Sequence, residues 1–279
     1  MIKITCDSAS DLPRSLWEPY RIHIFPMEVR LGKHCQQDQI ELTSGDIYNY
    51  SQKTGRLPEV SAVPVSVYRK TFEDYIGQGF QVLHVSLSGK LSECYRNACL
   101  AARSLPGVSV IDSKSVSAGA GQLAMLASEL ASADYLLNEL TDALNEMKEK
   151  MDVSCILQTP EYLHKIGHHS SISALLSGFF RLKPELMIRK GKIRPIHAFR
   201  GDLENSILSY VQNCISGRTN IQTDRIFITY SAVPLPVREK VKILLRQLQP
   251  FEEILEIPVS SAVSCRCGPG SLGLAFMTR

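Results

Sequence analysis

The chain is poor in several things. It has one tryptophan, and aromatic residues make up 7% of its 279 positions. No block of like charges occurs, and 31 basic residues are nearly balanced by 28 acidic ones. That even balance argues against a nucleic-acid binder, because neutralising phosphates requires a concentrated basic surface. Apolar stretches are interrupted by charged residues or serine well short of the roughly 20 residues that span a bilayer, so no transmembrane segment is expected. The opening Met1-Ile-Lys-Ile-Thr-Cys-Asp7 lacks a signal-peptide core and reads as a first strand. The eight cysteines show no disulfide spacing, which together with the missing signal predicts a cytoplasmic protein.

What is present is an ordinary globular composition, 44% apolar and 21% charged, in a chain long enough for two domains. The first half alternates β-rich and amphipathic runs. Strands are predicted at 2–6, 22–30, 81–87 and 107–112, with helices at 43–54, 66–77, 91–104, 118–132 and 136–150. Leu136, Leu137, Leu140, Leu144, Met147 and Met151 recur at helical spacing and read as a core stripe. Strand and helix in alternation predict parallel βαβ units. The rhythm changes near 152. Strands are then predicted at 153–157, 185–189, 192–199, 225–231 and 252–264, with a hairpin turn at Lys190-Gly191 and helices at 171–181, 202–216 and 236–248. The fold class expected is α/β in two domains: a parallel βαβ domain over 1–152, and a mixed α/β domain with antiparallel strands over 153–279.

Several motifs suggest chemistry and fall short of it. Gly119-Ala-Gly121-Gln-Leu-Ala124 and Gly268-Pro-Gly270-Ser-Leu-Gly273 resemble nucleotide fingerprints. The first begins too far beyond Asp112 for a strand-to-helix phosphate turn, and too little chain follows the second for a crossover. Close packing at 119–121 and a tight turn at 268–270 are the expected uses. Ser88-Gly89-Lys90 lacks the remainder of a phosphate loop. His164, His168, His169 and the Cys265/Cys267 pair do not form a zinc pattern, and no metal is expected. The nucleophile elbow of serine hydrolases is absent. Polar clusters stand at predicted strand ends instead: Asp7-Ser8-Ala-Ser10-Asp11, Ser61, Ser86-Leu-Ser88 with Ser92, and Asp112-Ser113. Ligands of open parallel sheets bind at such ends, although Ser and Asp also cap helices.

These segments, in their joint order, resemble the DegV family. The matching pieces include Asp7-Ser8-Ala-Ser10-Asp11-Leu-Pro13, Phe25-Pro26-Met27, Leu91-Ser92-Glu-Cys-Tyr95, Pro160-Glu-Tyr162-Leu163, Gly191-Lys-Ile-Arg194-Pro195 and Gly268-Pro269-Gly270. The family's members act as fatty-acid-binding subunits of a bacterial fatty acid kinase. The resemblance therefore implies a carrier, not itself an enzyme and without catalytic residues or cofactor. It would bury a long-chain fatty acid and present the carboxylate to a partner kinase that uses ATP to make an acyl phosphate. Burying about fifteen methylenes is worth about 12 kcal/mol before binding costs. The candidate ligand-binding set that follows is Ser61, Ser88, Ser92, His168, Arg266 and Gly268. Four positions depart from the family pattern: Val60 replaces a hydroxyl residue, Glu93 adds a carboxylate, His168 replaces an arginine and Arg266 replaces a histidine. Imidazole and guanidinium thus exchange places across the implied head group. The alternatives are a binding protein for another lipid-like amphiphile, a phosphotransferase or a serine hydrolase.

Overall fold

The computed structural model describes residues 1–159, 162 and 182–279. The strands of the first half are β1 (Ile2–Asp7), β2 (His23–Phe25), β3 (Glu28–Leu31), β4 (His34–Gln37), β5 (Glu59–Ser61), β6 (Gln81–Ser86) and β7 (Val108–Asp112). Its helices are α1 (Arg14–Trp17), α2 (Ser44–Thr54), α3 (Val65–Gly77), α4 (Cys94–Ala102), α5 (Ala118–Ser132) and α6 (Leu137–Met147). Strands β2-β1-β6-β7 form a parallel sheet in that order. Helices cover both faces of its central strands: one face is apolar, with Ile4, Cys6, Leu83 and Val85, and the other buries Thr5, Asp7, His84 and Ser86 as hydrogen-bonded polar groups. Along β6, Val82 packs with Tyr68, Phe72 and Ala98 of α3 and α4. Leu83 and Val85 pack with Leu123, Met125 and Leu140 of α5 and α6. Leu140 and Leu144 of the leucine stripe are fully buried, whereas Leu136 at its start is 61% exposed.

The single strand expected at 22–30 is two. Pro26 offers no N–H to a ladder, so the chain leaves the parallel sheet there. It continues as β3 in a small antiparallel sheet ordered β4-β3-β5.

The second half contributes β8 (Met151–Ile156), β9 (Lys183–Arg189), β10 (Lys192–Phe199), α7 (Leu203–Ile215), β11 (Ile221–Ser231), α8 (Leu235–Leu248), β12 (Glu253–Pro258), α9 (Ser261–Cys267) and β13 (Ser271–Thr278). The sheet order is β10-β9-β8-β13-β11-β12, antiparallel except for the β11–β12 pair. Lys190 and Gly191 turn the β9–β10 hairpin with φ of 50° and 78°, the two positive values of a tight hairpin turn. The run 252–264, expected as one strand, ends at Pro258. Ser260 then caps α9 by accepting the Val263 N–H at 3.2 Å. The helix expected at 171–181 lies outside the described residues.

Helix α5 sits between the sheets, sharing one core with Val153, Phe227, Ile257 and Ala275 of the second half. Its glycines serve that approach. A Cβ on Gly121 would stand 2.6 Å from the Ser10 carbonyl oxygen, and one on Gly119 2.5 Å from a Val153 methyl. The G-x-G-x-x-A pattern is thus a packing device.

Candidate functional site

Between the two sheets lies a cavity of about 650 Å³, within the size range of small-ligand sites. Its walls are mostly apolar. Ala9, Met27, Val60, Leu87 and Val116 come from the first half, and Val153, Leu157, Leu186, Ile188 and Ala275 from the second. The floor is one face of the second sheet. There Thr229, Gly273 and Cys155 stand side by side on β11, β13 and β8. Gly273 keeps a notch open, since a Cβ would lie 2.6 Å from Thr229 Oγ1 and 3.2 Å from Cys155 Cβ.

Polar groups gather on the loop after β6 and on α9. Ser92, Glu93 and Lys90 line the cavity from the first, Arg266 and Cys267 from the second. The loop is anchored from below by Asp7. Its carboxylate accepts from Ser86 Oγ at 2.8 Å and from the Leu87 N–H at 2.9 Å, and also binds the Tyr68 hydroxyl. Burial works against ionisation of Asp7. The His84 ring, 3.4 Å away, and these donors outweigh that and hold its carboxyl below the ordinary range.

Ser92 lines the cavity, and its Oγ accepts the Cys94 N–H at 3.2 Å at the start of α4. Arg266 is half-buried on α9, and among the described residues it pairs with no carboxylate. Burial pushes its pKa down, yet a guanidinium stays charged at any physiological pH. Burial holds the thiols nearby in their protonated form. Burial pushes Cys155 and Cys265 up to about 12, and Cys267 is raised by burial as well. All eight cysteines are free.

Of the six residues singled out from sequence, Ser92 and Arg266 line this cavity. Ser61 does not. It is exposed on β5, while its neighbours Val60 and Ala62 face inward, as strand alternation requires. Ser88 is fully buried, and its hydroxyl is spent on the Gly191 carbonyl at 2.8 Å. Gly268 shapes the exit from α9. It adopts φ +70°, and a Cβ there would lie 2.5 Å from Thr159 Oγ1 and 2.8 Å from the Tyr162 ring. His168, like His164 and His169, lies outside the described residues. The floor residues Thr229 and Cys155 escaped sequence reading, and Gly273 entered it only as the end of the Gly268–Gly273 glycine pattern. An isolated glycine inside a strand was the available signal, since it marks a close approach.

Fold and cavity together define an α/β protein with a largely apolar cavity between two sheets. A family model described as "Uncharacterised protein, DegV family" matches residues 1–279, and the chain belongs to that family. A DegV domain-containing protein of Clostridium perfringens is 22% identical over 99% of this chain and 98% of its own length. A solved structure described as fatty acid binding of a DegV family protein from Thermus thermophilus superposes with a TM-score of 0.88. It is 26% identical and covers 100% of this chain and 99% of its own. DegV of Bacillus subtilis, described as a fatty acid binding protein, gives a TM-score of 0.85 at 21% identity, with 100% and 99% covered. No helix among the described residues is long and apolar enough to cross a membrane.

Proposed function

We propose that this protein binds a long-chain fatty acid in the cavity, with the carboxylate held by Arg266 and Ser92. The observation that carries the reading is a half-buried guanidinium that pairs with no carboxylate among the described residues, in a mostly apolar chamber. Such a cation calls for an anion, and an anion attached to a long apolar tail satisfies cation and walls together. The fatty-acid-binding descriptions of the Thermus thermophilus and Bacillus subtilis proteins agree with it. Residues 1–152 then form the domain that supplies the Ser92 hydroxyl, and residues 153–279 the domain that supplies the cation and the sheet floor.

The protein is a carrier in this reading, and the chemistry is performed by a partner. The glycine motifs are consumed by packing and turns, and the cavity thiols stay protonated. A separate ATP-dependent kinase in the cytoplasm would transfer a phosphoryl group to the ligand carboxylate, releasing ADP. The apolar walls would keep the acyl chain from water while the head group is presented.

Displacement of a fluorescent fatty acid by palmitate tests the binding. Micromolar or tighter affinity that falls in Arg266→Met supports the reading, and an affinity indifferent to Arg266 refutes it.

A further inference from the structure

Two buried carboxylates of the first half take no part in the cavity wall. Asp38 is fully buried. Its Oδ1 accepts the Ala262 N–H at 3.0 Å and its Oδ2 the Ser8 hydroxyl at 2.6 Å. Asp11 is 1% exposed, accepts the Ser260 N–H at 2.8 Å and binds the Ser117 hydroxyl. Both therefore reach from the start of the chain to the first turn of α9, across 224 and 249 positions. Ala262 and Arg266 are four residues apart and so lie on the same face of that helix. Both also line the cavity.

The arrangement is costly for what it does locally. The groups that act on Asp11 are Ser117, Ser260 and Asp38, and those on Asp38 are Ser8, Ser260, Ser261 and Ala262. In turn Cys267 feels Asp11, and Cys265 feels Asp38. None of these supplies a positive charge, and burial raises both carboxyls above their ordinary range. A neutral serine or asparagine would cap a helix nearly as well without burying charge. What a carboxylate adds is a shorter, stiffer, charge-assisted bond. A seven-residue helix has little rigidity of its own, so such bonds decide where it sits.

We infer that Asp11 and Asp38 are positioning residues, which lock the first turn of α9 to the first half of the chain and thereby set where Arg266 meets the ligand head group. The inference rests on the reading of Arg266 given above.

The test is a double-mutant cycle in palmitate affinity at pH 8, using the full chain, Asp38→Asn, Arg266→Met and the double variant. Affinity concerns the folded protein, so a simple loss of stability does not move it. Asp38→Asn is expected to weaken binding about five-fold in the Arg266 background and to have no further effect once Arg266 is methionine. Equal losses in both backgrounds would overturn the positioning role while leaving the head-group reading intact. Unchanged affinity in Arg266→Met would overturn both. If Asp38→Asn does not fold, Asp11→Asn, which acts on Ser260 instead, goes through the same cycle under the same criteria.

Discussion

Ser88 donates its hydroxyl proton to the Gly191 carbonyl oxygen over 2.8 Å, joining the loop after β6 to the β9–β10 turn. Lys90 Nζ repeats the link on the Lys190 carbonyl at 2.9 Å. A Cβ at Gly191 would stand 2.5 Å from Ser88 Oγ, so the glycine serves this approach as well as the turn. Two short segments, 103 residues apart, are thereby held together beside the cavity-lining stretch that ends in Ser92.

Ser88→Ala should therefore act on stability. It leaves a buried carbonyl without its donor, which costs about 1–3 kcal/mol, or about 2–4 °C in melting temperature per kcal/mol for a chain of this size. Fatty-acid affinity of the folded fraction should stay within two-fold of the parent. A melting curve and a displacement titration on one sample separate the two effects. An affinity loss as large as that of Ser92→Ala would show that Ser88 touches the ligand.

Ser92→Ala should do both. The hydroxyl caps α4 through the Cys94 N–H, so some stability is lost. A lost hydrogen bond to a carboxylate should also weaken affinity by about 1.5–3 kcal/mol. A variant that melts earlier but binds palmitate unchanged would reduce Ser92 to a helix cap.

Replacing Arg266 with histidine should make binding depend on pH. Arginine keeps its charge, whereas a free histidine loses its proton above about pH 6.5. Burial of the kind that lowers the Arg266 pKa would push that midpoint lower still. Arg266→His should thus bind best at the acidic end of the range and lose affinity as pH rises toward neutrality, with most of the loss at or below histidine's ordinary midpoint of about 6.5. Parallel pH profiles for the parent and the variant would remove Arg266 from the head-group site.

Asp11 should leave a mark on stability as a function of pH. Burial lifts its carboxyl from 3.8 to about 7, so the folded state binds this proton more tightly than the unfolded chain does. Between those values the folded state holds the extra proton. Stability from this group is therefore greatest at low pH, declines as pH rises toward 7 and is level above. Asp7 works in the opposite sense, with a lowered pKa that favours the fold once pH exceeds its ordinary value. The informative quantity is hence the difference between the parent and Asp11→Asn melting curves. That difference should shift in favour of the variant from pH 4 to 7, the span between the two values. A constant difference would mean that Asp11 ionises as freely in the fold as in the unfolded chain.

Much of the architecture could be read from the sequence where one physical pattern dominated. Strands β1, β6, β7 and β8 and helices α2 and α5 stand close to their expected positions, and Lys190-Gly191 makes the hairpin turn. Strand β13 was missed because Ser271–Met277 is buried on both faces, leaving no polar alternation to read. Helix α9 was read as strand because Val259 and Val263 flank its start, although Ser260 before it and Gly268 after it are ordinary helix signals. The cavity lining was only partly legible. Ser92 and Arg266, which line it, came from family resemblance, and strand alternation turns Ser61 outward while its neighbours Val60 and Ala62 face in. The roles of Asp11 and Asp38 depend on partners more than 200 positions away, which no local pattern reveals.

The central claim is that the cavity holds a long-chain fatty acid, and the most direct measurement is mass spectrometry of the organic extract from the denatured, purified protein. The account predicts a fatty acid recovered at close to one molecule per chain and strongly depleted in Arg266→Met. Recovery of no acyl species from several preparations, together with no displacement of a fluorescent fatty acid by palmitate, would contradict it.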